Sequence, residues 1–236
     1  MAFAHGKASK VFVNQTEFST YLNNVDVART SDVAESTTFG NSSKTYIAGN
    51  QDGTFSVAGF FDATADATLQ PLVGGNDFVF VMGIDGVDAT DRCAFAQGNI
   101  TNYGVSSPVG DIVASSIDIQ ADSGLYNGLV LENATITASG NGTARDNTNS
   151  TANGGGAFIL ATTVSGSTPN LTAKIQHSAD NVTYVDLVTF TSLTSAGAEF
   201  KQVAKGTTVN RYLKVNYTVT GTTPSFAVIV GFGRNN

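Results

Sequence analysis

Three segments in the last third of the chain carry apolar residues at every second position. Leu171, Ala173 and Ile175 form one set. Leu213, Val215, Tyr217 and Val219 form another, and Phe226, Val228, Val230 and Phe232 a third. A period of two places such side chains on one face of a pleated strand, whereas a helix needs a spacing of three and four. Turn-forming pairs punctuate the segments: Ser165-Gly166, Asp180-Asn181, Lys205-Gly206 and Gly221-Thr222. Five or six short alternating strands with turn signals between them predict a β-sandwich over residues 125–236.

The first half reads differently. Lys10 to Val13 is a short strand. Phe18, Tyr21, Leu22 and Val25 fall at i, i+3, i+4 and i+7, which predicts a short helix with Thr16 as its cap. Gly53 to Phe61 alternates, with Phe55, Val57, Gly59 and Phe61 on one face. Asp62 to Gly75 changes period: Ala65, Leu69 and Leu72 share a helical face, Asp62 is placed to cap it and Gly74 to stop it. Asp77 to Met82 is almost continuously apolar, as in a strand buried on both faces. Arg92 to Gln97, then Ile100 to Tyr103 past a bend at Gly98, and Ile112 to Ala121 complete the strands of this half.

The chemistry of the chain is sparse. Only 13% of its 236 residues are charged, and Gly (25) and Thr, Ser and Asn are plentiful. That mixture favours strands and turns over helices. The single cysteine, Cys93, excludes an internal disulfide framework and lies in an apolar run with no local base to activate it. The histidines, His5 and His177, are far apart and have no cysteine or carboxylate cluster at ligand spacing around them. Asp85, Asp88 and Asp91 are spaced by three with no distal Glu, so they read as a solvated turn rather than a calcium loop. Gly154-Gly155-Gly156 lacks the Lys-Ser/Thr of a phosphate loop, and no nucleophile elbow is present. The expectation is a protein without enzymatic activity, cofactor or metal. No apolar run approaches the ~18 residues of a membrane span. The N-terminal ten residues lack a signal-peptide core, which predicts synthesis in a cytoplasm.

Charge is divided unevenly. Residues 1–124 hold 5 Lys/Arg against 14 Asp/Glu, a net −9, while residues 125–236 hold 7 against 5, a net +2. Clustered cations are what bind phosphate, so the acidic half argues against tight nucleic-acid binding. The composition shift at Asp122-Ser123-Gly124 predicts two domains, 1–124 and 125–236.

One stretch of the acidic half stands out. Asn23 to Gly49 begins as a strand, Val25-Asp26-Val27-Ala28-Arg29, runs through polar residues 30–38, and returns through Phe39-Gly40 and Tyr46-Ile47-Ala48-Gly49. Phe39, Tyr46 and Ile47 are large apolar residues on an otherwise polar loop, which suits docking on a partner. The stretch resembles the long loop of siphophage major tail tube proteins, with its Val-Asp-Val-x-Arg, Thr-Thr-Phe-Gly and Tyr-Ile-x-Gly order. The strand and helix order over about residues 10–122 is similar to the core of the same family. The resemblance implies a mainly β, tail-tube-type sandwich or barrel with one or two short helices, followed by the C-terminal sandwich. It implies a structural virion protein whose stacked hexameric rings enclose a DNA-ejection channel. Arg29, Asp32, Phe39, Tyr46 and Ile47 would then lie in a contact loop between subunits. Partners would be further copies of the chain and the tape-measure, terminator and distal tail proteins. DNA would pass an acidic lumen without specific binding and no membrane would be engaged. Assembly would occur in the bacterial host cytoplasm and the final location would be the virion tail.

In the second half, Gln176-His177-Ser178-Ala179-Asp180-Asn181-Val182-Thr183-Tyr184 and Arg211-Tyr212-Leu213-Lys214-Val215 resemble segments of coagulation-factor type C and related carbohydrate-binding jelly rolls, with Tyr184 where those have Trp. This resemblance implies a jelly-roll-like outer domain decorating the tail, with Tyr184 and Arg211 as weak glycan contacts. It also supports an alternative: a carbohydrate-binding or capsid-decoration protein whose C-terminal half is the functional part.

Overall fold

The computed structural model describes residues 6–235. Fourteen strands run in chain order as β1 (Lys10–Val13), β2 (Thr16–Glu17), β3 (Leu22–Glu35), β4 (Tyr46–Phe60), β5 (Phe78–Gly83), β6 (Arg92–Ser106), β7 (Ala114–Ala121), β8 (Tyr126–Ile136), β9 (Gly140–Asn141), β10 (Arg145–Asp146), β11 (Gly155–Ser178), β12 (Val185–Thr189), β13 (Gly197–Val203) and β14 (Tyr212–Arg234). One short α-helix, α1 (Ala63–Leu69), sits between β4 and β5. The described chain is therefore mainly β and its ladders are antiparallel, as the alternation predicts.

Contacts divide the chain into two units. One contains the described residues up to Thr20, Phe78–Ala96 and the chain from Tyr126 onward; the other contains Tyr21–Asp77 and Gln97–Leu125. The chain crosses into the first unit for the last time one residue beyond the composition shift, but residues 6–20 and 78–96 also fold there.

In the first unit the strand order is β12-β11-β14-β8-β6-β5-β1-β2, with β13 also on β11, and β9 and β10 on β14. The sheet curls. Phe200 of β13 and Phe95 of β6 lie four ladder steps apart (β13-β11-β14-β8-β6), about 19 Å in a flat sheet. Their ring centroids are 6.3 Å apart. Phe95, Tyr126, Phe158 and Phe200 fill the interior of the curl, with Phe95 and Phe158 rings at 4.8 Å. Residues 157–161 are fully buried on both faces: Phe158 and Leu160 point into this aromatic cluster, and Ala157, Ile159 and Ala161 into a second core.

That second core exists because β11 and β14 bend. They pair along almost their whole lengths, from Gly155↔Arg234 to Ser178↔Tyr212, with register breaks around residues 165–170. Gly166 (φ +110) and Gly221 (φ +119) stand on the two sides of the bend, with Thr168 and Thr223 also at positive φ. A Cβ on Gly166 would lie 2.6 Å from Thr223 O, and one on Gly221 2.7 Å from Thr168 O. A strand that switches layers through a bulge in this way makes the corner of a sandwich. Leu171, Ala173, Ile175, Leu213, Val215 and Tyr217 on one leg then pack with Phe226, Val228, Val230 and Phe232 on the other. The Ser165-Gly166 and Gly221-Thr222 signals, expected as turns between separate strands, are the facing halves of this corner. β13 has no counterpart in the sequence-based reading, because Gly-Ala-Glu-Phe-Lys-Gln-Val alternates only weakly.

The second unit is built on the order β3-β4-β7-β6, using residues 97–106 of β6. Cross-strand rows line one face: Val27–Phe55–Ile119–Ile100 and Val25–Val57–Ile117–Tyr103. Phe55, Val57, Ile100, Ile117 and Ile119 are buried. Helix α1 belongs to this face, with Ala65 and Leu69 buried and the Tyr103 hydroxyl donating to Asp66 Oδ1 at 2.8 Å. Asp62 caps it as expected, accepting from Thr64 N and Ala65 N.

The helix expected over residues 16–22 is absent. Asn14 takes a left-handed conformation (φ +52) and turns β1 into β2, pairing Val13 with Thr16. Phe18 is buried and its N–H bonds Val11 O. Strand pairing here overrides the helical spacing. β6 is one strand across Gly98, pairing with β8 through Arg92–Phe95 and with β7 from Gly98 onward.

Candidate functional site

The stretch that the sequence reads as strand then loop is a long two-stranded arm. β3 continues past Arg29 to Glu35 and pairs with β4 through Thr30↔Asp52, Ser31↔Gln51, Val33↔Ala48, Ala34↔Ile47 and Glu35↔Tyr46. Pairing of β4 with β7 stops at Thr54↔Gln120, so no ladder supports the arm beyond its base. Residues 29–35 alone extend it by about 20 Å, before a tip at 36–45. Local bonds hold the tip: Ser36 N–H to Thr45 O at 2.8 Å, Thr45 N–H to Thr37 Oγ1 at 3.0 Å, and a Lys44–Glu35 ion pair at 3.1 Å. Arg29 donates to the Gln51 side chain across the ribbon. Asp32 lies at the register break between Ser31 and Val33.

Its apolar residues are uncovered. Phe39 at the tip is 114% exposed, Ile47 63% and Tyr46 55%. Val33, which the sequence reading did not single out, is 64% exposed. The register places Tyr46, Glu35, Val33 and Ala48 on one face of the ribbon and Ile47 and Ala34 on the other. Both faces therefore present a large apolar side chain. Two-stranded ribbons are marginal in water, and this one carries exposed apolar groups as well.

The opposite face of the second unit's sheet, away from α1, is polar. Asp26, Ser56, Asp118 and Asn102 form one cross-strand row. Asp118 accepts from Asn102 Nδ2 at 3.1 Å and Ser56 Oγ at 2.8 Å, and these bonds hold its carboxyl below the usual range. Gln120 donates to Asp52 Oδ1 at 2.5 Å near the base of the arm. Acidic and amide groups, with no lysine or arginine in these rows, line this face.

In the first unit, Tyr184 and Arg211 lie on the outside of the β11–β14 leg, and both are engaged. Lys214 Nζ sits 3.9 Å from the Tyr184 ring centroid, and the Tyr184 hydroxyl donates to Asn181 Oδ1. Arg211 makes a two-pronged pair with Asp146, both bonds at 2.6 Å, which holds that carboxyl down to about 2. Asp180 accepts from Val182 N–H and Thr183 N–H at 2.9 Å and from Ser178 Oγ, and is also held at about 2. These are turn and strand fastenings. His177 accepts from Asn210 N–H through Nδ1 at 3.1 Å, and burial, then the charge of Arg234, push its pKa down. Arg234 in turn donates to Val209 O and Asn210 O at 2.7 and 2.6 Å. His177 is thus a joint between strand ends. His5 lies outside the described residues.

Among the described residues no catalytic arrangement emerges. Cys93 is buried, which pushes its thiol up to about 12, so no thiolate forms at neutral pH. Asp91 Oδ2 accepts from Asp88 N–H at 2.8 Å and closes the acidic turn on itself. Among the described residues no group of three His, Cys, Asp or Glu could hold a metal, and no helix is long and apolar enough to cross a membrane.

The sequence matches no protein-family model, and no curated protein matches it. Solved structures with partial similarity to the chain include a component of the virion of a native gene transfer agent particle, 12% identical, covering 52% of this chain and 97% of that one, with a TM-score of 0.44. Another is the SPP1 Dit protein, described as a hub adsorption apparatus of phages infecting Gram-positive bacteria. It is 11% identical, covers 95% of this chain and 98% of that one, and has a TM-score of 0.41. A third belongs to the sheath–tube complex of an extracellular contractile injection system in its extended state, 12% identical, covering 54% of this chain and 93% of that one, with a TM-score of 0.44.

Proposed function

We propose that the chain is a structural phage tail protein, a major tail tube subunit that forms stacked hexameric rings around a DNA-ejection channel. The observation that carries this reading is the arm. It projects two strands with no third beside them, and it bears Val33, Phe39, Tyr46 and Ile47 uncovered on both faces. A ribbon apolar on both faces cannot be satisfied by lying on one surface, but it can be clasped between two neighbouring subunits. Burying each such side chain yields about 1.5–3 kcal/mol, so four together make an anchor for assembly. Arg29 and Asp32 flank this surface and would add polar contacts at its base.

The two-faced sheet of the second unit fits the same reading. Its apolar face carries α1, and its polar face, with Asp26 and Asp118, would line the channel. Phosphates passing such a wall are repelled, and with a Debye length of ~8 Å at physiological salt the repulsion reaches across a narrow lumen. The proposed division of labour gives tube formation to residues 1–124 and decoration of the tail surface to 125–236, with residues 6–20 and 78–96 contributing strands to the decorating fold. Other tail proteins would meet the tube at its ends, and the assembled location is the virion tail.

The test is negative-stain microscopy of the purified chain beside a Phe39→Ala/Tyr46→Ala variant. Rings or tubes from the parent and folded, unassembled protein from the variant are expected. Normal tubes from the variant would remove the arm from the interface. A reconstruction of the tube that puts Asp26 and Asp118 on its outside would overturn the channel assignment.

A further inference from the structure

The second unit has a further uncovered apolar surface, at the end of its sheet away from the arm. β6 and β7 meet there, with Ser106 opposite Ala114, and Phe60 at the end of β4 lies on the other side of Ala114. Phe61 N–H bonds Val113 O at 2.9 Å just beyond the ladder. Five large apolar side chains at this end are exposed: Phe60, Phe61, Val105, Val109 and Ile112. Alternation puts Phe60 on the face of Asp118 and Val105 on the face of Ile117. The patch, like the arm, is therefore apolar on both faces. Gly110 at φ +91 and a bond from Asp111 N–H to Pro108 O form a turn with Val109 at its corner, 106% exposed.

A copy cannot cover this patch with its own arm. Pairing with β7 begins at Thr54↔Gln120, at the base of the arm, and ends at Phe60↔Ala114, beside the patch. The tip and the patch thus stand at opposite ends of β4, about 40 Å apart along the strand. An apolar surface at each end of one sheet suits a head-to-tail contact, because one docking event covers both. Charge allows it. From Arg29 to Tyr46 the arm carries Arg29 and Lys44 against Asp32 and Glu35 and is neutral. Lys44 pairs with Glu35 in solvent, an ion pair that is easily exchanged. The one charged residue of the loop that bears Val109 and Ile112 is Asp111, and it is exposed.

We propose that the arm of one copy docks on the β6–β7 end of a second copy, with Phe39 covered by Val109 and Ile112 and Lys44 facing Asp111. The inference rests on the reading of the arm as an assembly anchor and names the surface that receives it. Such a contact is heterologous, so a pair still has one free arm and one free patch. Because arm and patch point in opposite directions along β4, each docking adds a copy along the strand direction and extends a stack.

Cysteine cross-linking of the full chain tests it. Cys93 is buried and stays out of the reaction. Mild oxidation of Phe39→Cys/Val109→Cys should give a ladder of dimers, trimers and longer chains on a non-reducing gel, and each single variant should run as monomer. A dimer from Phe39→Cys alone, with no ladder from the double variant, would pair arm with arm and overturn the proposal. Only monomer from the double variant overturns it too. Val109→Asp/Ile112→Asp changes exposed side chains, so the Tm of the monomer should hold while the concentration needed for assembly rises about tenfold or more. Normal tubes from that variant would give the patch to a different tail protein, which overturns the docking and leaves the arm reading in place. Normal tubes from Phe39→Ala/Tyr46→Ala would instead remove the arm reading, and the docking with it.

Discussion

Two long hairpins in this chain are made of similar strands and meet opposite fates. β11 and β14 pair along their lengths, bend at Gly166 and Gly221, and bury most of their alternating residues against themselves and their neighbours. β3 and β4 also pair along their lengths, but past Gly53 they have no neighbour, and large apolar residues remain in water. The first hairpin is complete within one chain. The second leaves Val33, Tyr46 and Ile47 exposed, on both faces of its ribbon. Alternating polarity decides that a segment becomes a strand; whether the strand has a covering layer is decided elsewhere.

Changes in the two hairpins should therefore act on different observables. The largest effect on stability belongs to the bent hairpin. Phe226 is fully buried there, and Phe226→Ala should cost about 3–5 kcal/mol in urea unfolding. A cost under about 1 kcal/mol would mean that this leg is not the core described. Next is the corner. Gly221→Ala adds a Cβ 2.7 Å from Thr168 O at a φ of +119, with an expected loss of about 1–3 kcal/mol. A neutral result would show that the corner relaxes freely. The arm should behave in the opposite way. Phe39→Ala/Tyr46→Ala, which abolishes assembly in the proposal above, should shift unfolding of the monomer by no more than about 0.5 kcal/mol. A large loss of monomer stability would give the arm a partner within its own chain.

The smallest effect is a pH dependence at the strand ends. Asp180 is held at about 2 by backbone N–H donors, against an ordinary value of 3.8. Its folded pKa is depressed, so its contribution is present above pH 4 and is lost as pH falls from 4 toward 2. Tm measured over pH 5 to 2 should fall less steeply for Asp180→Asn than for the parent. Identical slopes would dismiss the turn as a source of acid sensitivity.

Local signals made parts of this picture legible. Asp62 followed by Ala65 and Leu69 is a helix start that needs no distant partner, and it forms as read. Leu171-x-Ala173-x-Ile175 is a strand in either layer. The exposed trio Phe39, Tyr46 and Ile47 was visible as an anomaly of composition. Phe18 to Val25 misled, because a helical spacing of four residues is weak beside the pairing of Val13 with Thr16 around Asn14. Val33 was missed because its place opposite Ala48 exists only once the register is known.

By itself, the sequence determined that this is a β protein with a helix capped by Asp62 and an acidic half. Those properties follow from the polarity and backbone preferences of neighbouring residues. Only the tertiary structure decided that two glycine-bearing segments face each other and turn one hairpin into two layers. It alone brought Phe200 to Phe95 across a curled sheet and left the arm uncovered. Each of these depends on register and closure between residues distant in the chain, and a local pattern of period two is the same whichever partner a strand finds.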